Sequence, residues 1–295
     1  MPILLRYTFV LACSLLLFSC GAPAGSEAGV PDSTSKRIVS LSGAITETLY
    51  TLGHGEKIVG VDVTSSYPAE SARLPKLGHV SQLNAEGILG LQPDLIIAEA
   101  AEEDNPVLQQ LAQAGVVLLF VPKPNSLDAP VALATAIAEK LGDPQHKLDA
   151  LVHSVQEQQE KLEARIAGVD DRPRVLFIYA RGKGNLMVAG TGTPAETMIT
   201  VAGGENAVTA FEGFQALSAE GLIEARPDVI LMFESGFRSL DGVEALLTLP
   251  GMDQTPAGHN RSVITMDGHY LLGFGPRAAA AALELSRRLT AIQNI

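Results

Sequence analysis

The chain has 295 residues, 46% of them hydrophobic, and a formal net charge of -12. That length and apolar content support a sizeable core and two lobes, and 18% charged residues exclude widespread disorder. The acidic balance excludes nucleic acid as a partner, because phosphate recognition calls for a basic face.

At the N-terminus, Arg6 precedes an apolar run from Tyr7 to Phe18. The run has the length of a signal-peptide core and is too short to span a bilayer. It ends Leu17-Phe18-Ser19-Cys20-Gly21, which resembles a bacterial lipobox, in which the cysteine is lipidated and becomes the new N-terminus. The expectation is a signal peptide over 1–19 and a lipidated tether over 20–35 that starts at Cys20 and is rich in Gly, Ala, Ser and Pro. Both cysteines, Cys13 and Cys20, lie in this leader. The body therefore contains no disulfide, thiolate metal site or cysteine nucleophile.

Arg37 to Leu41 reads as the first strand, Ile45 to Leu52 as a short helix, and Ile58 to Val61 as the second strand. A polar loop follows, Val61-Asp62-Val63-Thr64-Ser65-Ser66-Tyr67-Pro68, with an aromatic at its tip. Loops at the carboxyl ends of strands are where α/β folds place ligand contacts, so Tyr67 is a candidate contact. A tyrosine packed over its own loop is the alternative. Asn84 to Leu91 reads as a helix capped by Asn84 with Glu86 in its first turn, and Leu95 to Ala98 as a buried strand. Pro106 to Ala114 and Leu127 to Leu141 read as helices around a strand at Val116 to Val121. This alternation predicts a mostly parallel sheet covered on both faces.

Pro144 to Ala167 is charged, free of glycine and carries one apolar stripe through Leu148, Leu151, Val152, Val155, Leu162 and Ile166. That spacing predicts a continuous helix of about 36 Å. It reads as a connecting helix over 144–168 between lobes at 36–143 and 169–295, or as a surface helix of one larger domain. The second half repeats the plan. Strands are expected at Arg174 to Tyr179, Leu186 to Ala189, Val229 to Phe233 and Val263 to Met266. Helices are expected at Pro194 to Val201, Ser218 to Ala225 and Pro276 to Ile292.

One stretch occurs twice. Leu83-Asn84-Ala85-Glu86-Gly87, running on to Pro93-Asp94-Leu95, matches Leu217-Ser218-Ala219-Glu220-Gly221, running on to Pro227-Asp228-Val229, with the same spacing from glutamate to Pro-Asp. Two lobes of one design follow. Glu86 and Glu220 are then either a pair of partner-facing carboxylates or two favourable charges at helix N-termini, worth about 0.3–1 kcal/mol each.

The leader, the two α/β lobes, the long helix and the paired Glu-Gly helices resemble the substrate-binding proteins of ABC importers that serve haem, cobalamin and ferric siderophores. The resemblance runs from about Arg37 to the C-terminal helix. The Val61 to Pro68 loop and Leu271-Leu272-Gly273-Phe274-Gly275-Pro276-Arg277 resemble the haem-binding branch. It implies the periplasmic-binding-protein fold of the helical-backbone class, with a ligand cleft between the lobes. It implies haem as the transported ligand, Tyr67 as an axial ligand to its iron, and Glu86 and Glu220 docking onto permease subunits. It also implies a periplasmic or cell-surface lipoprotein, anchored to the membrane.

A phenolate suits ferric iron, and since free tyrosine titrates near pH ~10, the metal or a nearby cation must favour it. Arg181, Lys183, Arg238 and Arg277 are the cationic candidates for the phenolate or a haem propionate, with Arg238 favoured. Unlike some relatives, this chain has no histidine from Ala180 to Asn185. Tyr67 alone is the expected iron ligand, with His79 and His269 as outsiders. A cobalamin or siderophore binder is the alternative, although cobalamin sites of this family tend to stack the ligand on tryptophan and the chain has none. No nucleophile elbow, zinc motif or phosphate loop points to an enzyme.

Overall fold

Short apolar runs bounded by glycine, proline and aspartate form two sheets, each buried on both faces. The structure, a computed structural model, describes residues 36–123, 125–168, 171–182 and 186–293. The expected signal peptide, Cys20 and the tether lie outside the described residues, as does Lys183.

In the first half, β1 (Ile38–Ser40), α1 (Gly43–Thr51), β2 (Ile58–Val61), α2 (Ala85–Gly90), β3 (Leu95–Glu99), α3 (Pro106–Gln113), β4 (Val117–Val121) and α4 (Ala129–Leu141) follow one another. The strands make a parallel sheet in the order β2-β1-β3-β4. Successive strand side chains point to opposite faces, so the two faces build separate cores. Ile38, Leu95 and Ile97 pack with Ile45 and Leu49 of α1 and Ile137 of α4. Val39 and Ile96 pack with Leu108 and Leu111 of α3 and Ile88 of α2.

Next comes α5 (Gln145–Ile166), unbroken for 22 residues, or about 33 Å at the α-helical rise. Its Leu151 and Val155 enter the core of the first lobe, while Leu162 enters that of the second. The single apolar stripe is thus shared between two cores, which makes the helix a strut.

The second half runs β5 (Arg174–Ala180), β6 (Leu186–Ala189), α6 (Pro194–Val201), β7 (Glu205–Asn206), β8 (Phe214–Ala216), α7 (Ala219–Ala225) and β9 (Val229–Phe233). It continues with α8 (Glu234–Ser239), α9 (Val243–Leu247), α10 (Pro256–Asn260), β10 (Val263–Met266), α11 (Gly268–Leu272) and α12 (Ala278–Gln293). The sheet order is β10-β9-β5-β6-β8, with β7 also on β5. β10, β9 and β5 are parallel, whereas β6 and β8 form an antiparallel edge. This edge departs from the mostly parallel expectation, because β8 is a three-residue strand with no apolar periodicity to reveal it.

The repeated stretch is a structural device. Asn84 and Ser218 each accept a hydrogen bond from the glycine N–H three residues on, at 2.9 and 3.0 Å, and so cap α2 and α7. The carboxylates of Asp94 and Asp228 each accept the backbone N–H at the start of the neighbouring strand, from Arg37 and Arg174, both at 2.8 Å. The same two arginines donate from their guanidinium groups to a carbonyl at the end of the glutamate-bearing helix, Leu91 O and Ala225 O, both at 2.9 Å. The residue after each arginine pairs in register with the residue after each aspartate, Ile38 with Leu95 and Val175 with Val229. Each lobe thus clamps its glutamate helix to a pair of adjacent parallel strands, β1 and β3 in the first and β5 and β9 in the second.

Candidate ligand cleft

The loop that carries Tyr67 is held by a web of short polar side chains. Asp62, which is buried, accepts hydrogen bonds from Thr64 Oγ1 and Ser65 Oγ, both at 2.6 Å, and from Thr64 N at 3.0 Å. Ser65 continues to Thr46 of α1 at 2.7 Å, and Thr46 to Ser40 of β1 at 2.7 Å. Below the loop, Lys76 Nζ donates to Ser65 O at 2.7 Å, and burial pushes its amine down. A cis peptide bond joins Tyr67 to Pro68. Tyr67 itself emerges 43% exposed.

Arg277 of the second lobe meets it. The guanidinium carbon lies 3.4 Å from the centroid of the Tyr67 ring and 4.9 Å from that of Tyr270, a cation within reach of two aromatic rings. Behind it, Glu47 of α1 accepts from Arg277 Nε and Nη2, both at 2.9 Å, and from His269 Nε2 at 3.2 Å. Burial raises a carboxyl, but the hydrogen bonds from His269 and Arg277, with their charges, outweigh it and hold Glu47 below the usual carboxylate range. Burial, followed by the charge of Glu284, pushes the Tyr270 phenol up, so Tyr270 stays neutral beside the arginine.

A depressed carboxyl adds stability above its unfolded value of 4.5 and loses it as pH falls through the folded one. Glu47→Gln is therefore expected to be less stable than the parent by on the order of 2 kcal/mol at neutral pH. Denaturation midpoints compared from neutral pH toward about pH 3 should show that gap closing. A gap that stays constant would contradict the assignment.

Beside this cluster a cavity of about 710 Å³ opens between the lobes. Thr64, Ser66 and Lys123 line it from the first lobe, and Arg181, Phe233 and His269 from the second. Ser66 precedes Tyr67 directly. An apolar hollow of about 330 Å³ adjoins it, sharing Tyr179, Phe233 and Leu272 and adding Phe177, Met187 and Phe214. The rings pack edge to face, Phe177 on Phe233 at 5.1 Å and Tyr179 on Phe233 at 5.9 Å, and Phe214 is 41% exposed. The second lobe thus presents an aromatic shelf to the cleft.

Of the expected site residues, the structure brings Tyr67 and Arg277 together and sets Arg181 in the cleft wall, hydrogen-bonded to the Tyr179 hydroxyl. Arg238, the favoured partner for Tyr67, is not the cation over its ring, although Ser235 and Ser239 of the same helix line the cleft. It sits in the last turn of α8, a helix that buries only Gly236, and it pairs with Glu234 at 3.7 Å with 72% of its side chain exposed. Arg277 takes that place. His269 faces Glu47, and His79 bonds Ser81 at 2.8 Å. Met187, expected as strand packing, lies in β6 and lines the shelf. Glu86 and Glu220 are exposed, make no ion pair with a described residue and do not line the cleft.

Sequence reasoning missed Glu47, Lys123 and the shelf. A signal existed for two of them. Glu47 stands in a helix whose residues Gly43 to Leu49 are all buried, where a carboxylate needs a partner. Lys123 follows β4 at its carboxyl end, the same position in the fold that singled out Tyr67.

The model of the periplasmic binding protein family matches residues 38–270. The chain belongs to this family. As a periplasmic binding protein it has the expected fold, two α/β lobes on a single long helix. It is similar to the periplasmic heme-binding protein RhuT from Roseiflexus sp. RS-1 in apo form, at 40% identity and a TM-score of 0.83, over 87% of this chain and 98% of that one. It is 27% identical over 259 residues to the uncharacterized ABC transporter substrate-binding lipoprotein YvrC of Bacillus subtilis (strain 168), covering 86% of this chain and 80% of that protein. It is 29% identical over 207 residues to the vitamin B12-binding protein of Vibrio campbellii (strain ATCC BAA-1116), covering 70% and 73%. Among the described residues no helix is long and apolar enough to cross a membrane.

Proposed function

We propose that this binding protein is the extracytoplasmic haem receptor of an ABC-type importer, a transport component and not an enzyme. Ferric haem enters the cleft with Tyr67 as its axial ligand and leaves to a permease that reads Glu86 and Glu220. The observation that carries this reading is the Arg277 guanidinium 3.4 Å over the Tyr67 ring, next in sequence to Ser66 in the lining of an interlobe cleft. A phenolate oxygen is a hard anionic donor for ferric iron, and a fixed cation beside it stabilises the negative charge it carries when it ligates. Among the described residues no group of three or more His, Cys, Asp or Glu could hold a bare metal ion. A ligand that brings four donors of its own suits a single phenolate.

The rest of the cleft fits the same cargo. The aromatic shelf offers an apolar surface for a porphyrin face, and Lys123 and Arg181, which line the cleft from the two lobes, suit carboxylates such as propionates. The heme-binding relative supports haem, and the lipoprotein relative supports a membrane anchor at Cys20. Cobalamin is the second reading, favoured by the vitamin B12-binding relative; the absence of tryptophan weighs against it. Titrating the purified protein with ferric haem and with cobalamin separates the two. Haem should saturate the protein with a new absorption spectrum, and cobalamin should bind at least about a hundredfold more weakly, a gap of about 2.7 kcal/mol. The reverse order would replace haem by cobalamin as the cargo.

A further inference from the structure

We propose that Glu47 is the positioning residue of this site: a first-lobe carboxylate that clamps the 269–277 segment of the second lobe and aims Arg277 at Tyr67. The proposal rests on the reading of Tyr67 as the donor to the ligand. Glu47 is 3% exposed, and its carboxylate receives four hydrogen bonds, all from the other lobe. They come from Arg277 Nε and Nη2 at 2.9 Å, Arg277 N at 3.2 Å and His269 Nε2 at 3.2 Å. Two parallel bonds from a planar guanidinium to one carboxylate set the plane and the direction of the cation, which a point charge does not do. With that plane set, the guanidinium carbon lies 3.4 Å from the centroid of the Tyr67 ring and 4.9 Å from that of the Tyr270 ring.

The clamped segment has little freedom to hold Arg277 by other means or in another place. A Cβ on Gly43 would come within 2.4 Å of the His269 ring, and one on Gly273 within 2.4 Å of His269 O. Phe274, fully buried, adopts a φ of +48°, in the left-handed region. The lobes therefore meet closely at this point, the His269 ring against Gly43 and Gly275 against Ala44 Cα, with the Glu47 carboxylate as the polar contact between them.

One helix holds both halves of the pair. Thr46 bonds Ser65 of the Tyr67 loop at 2.7 Å, and the next residue, Glu47, bonds Arg277. The first turns of α1 thus set the donor and its cation against each other, although they belong to different lobes. Without the carboxylate, the guanidinium keeps its charge but loses the fork that aims it, and turns to water or to ligand carboxylates.

The test compares ferric haem complexes of the parent, Glu47→Gln, Glu47→Asp, Arg277→Lys and the Glu47→Gln/Arg277→Lys double variant. Asp143→Asn, which removes the charge from the buried His54–Asp143 contact of 2.6 Å elsewhere in the first lobe, serves as a control for lost stability alone. Glu47→Gln should weaken haem about tenfold and shift the phenolate-to-iron charge-transfer band. Arg277→Lys should do the same, the double variant should add little to either, and Glu47→Asp should restore part of the band. Asp143→Asn should leave the band in place. An unshifted band in Glu47→Gln, or effects that add in full in the double variant, would overturn the proposal. A second readout needs no ligand: the Arg277 Nε–H proton should give a protected NMR signal in the parent and lose it in Glu47→Gln. Persistence of that signal overturns the clamp. If the signal behaves as expected while the parent takes up no haem, the haem reading fails and the clamp stands.

Discussion

Tyr67→Phe is expected to abolish the phenolate-to-iron charge-transfer absorption of the ferric haem complex and to weaken haem binding by roughly a hundredfold, about 2.7 kcal/mol. The substitution removes one oxygen and leaves the ring. The ring makes the contact with Arg277, so the loop and the cation keep a surface to rest on. The Tyr67 hydroxyl has no hydrogen-bond partner among the described residues, and the side chain is 43% exposed. Its loss should therefore change folding stability by no more than about 0.5 kcal/mol. Thermal unfolding of the apo variant checks that, and absorption titration checks the rest. A variant that folds normally and keeps the band would show that another group ligates the iron. Tyr270 is the weaker candidate on chemical grounds, since burial and then Glu284 keep its phenol protonated.

Tyr67 was legible in the sequence as a candidate contact because that warrant is local: a polar loop after a strand, with an aromatic at its tip. The same holds for the glutamate helices, whose cap, first-turn acid and Pro-Asp lie within twelve residues of one another in each copy. The long helix was legible through its glycine-free apolar stripe. The partner of Tyr67 was not. Arg181, Arg238 and Arg277 all follow strands or loops in the second lobe, and nothing local ranks them. What selects Arg277 is Glu47, 230 residues away in sequence. Even the spare acid in a buried helix, a readable anomaly, does not say which cation answers it. The aromatic shelf was hidden for a related reason. Phe177, Tyr179 and Phe233 sit on parallel strands β5 and β9, and only the sheet order sets them side by side. Phe214 joins them from a three-residue strand that carries no pattern of its own.

Reversing both Glu86 and Glu220 to lysine is expected to abolish haem uptake through the importer while leaving haem affinity within about twofold of the parent, or about 0.4 kcal/mol. The two carboxylates are exposed and free of ion pairs with described residues, so their charge is available to a partner. Neither lines the cleft. Each helix gains only about 0.3–1 kcal/mol from an acid in its first turn, too little for its loss to unfold the protein. Each is also fastened by the arginine–aspartate clamp of its lobe, so the carboxylate is presented at a set position before the partner arrives. The shared strut α5 ties the two lobes together, and two charges on one tethered body make each contact raise the effective concentration of the other. Truncating one side of a desolvated charge pair costs about 2–5 kcal/mol. A single reversal should then weaken docking, and the double reversal should remove it. Uptake measured in cells or in vesicles with the cognate permease, alongside haem titration of the same variants, separates docking from binding. Uptake that survives the double reversal would reduce the two glutamates to helix-terminal charges. A matched loss of uptake and of haem affinity would instead point to an effect on the cleft.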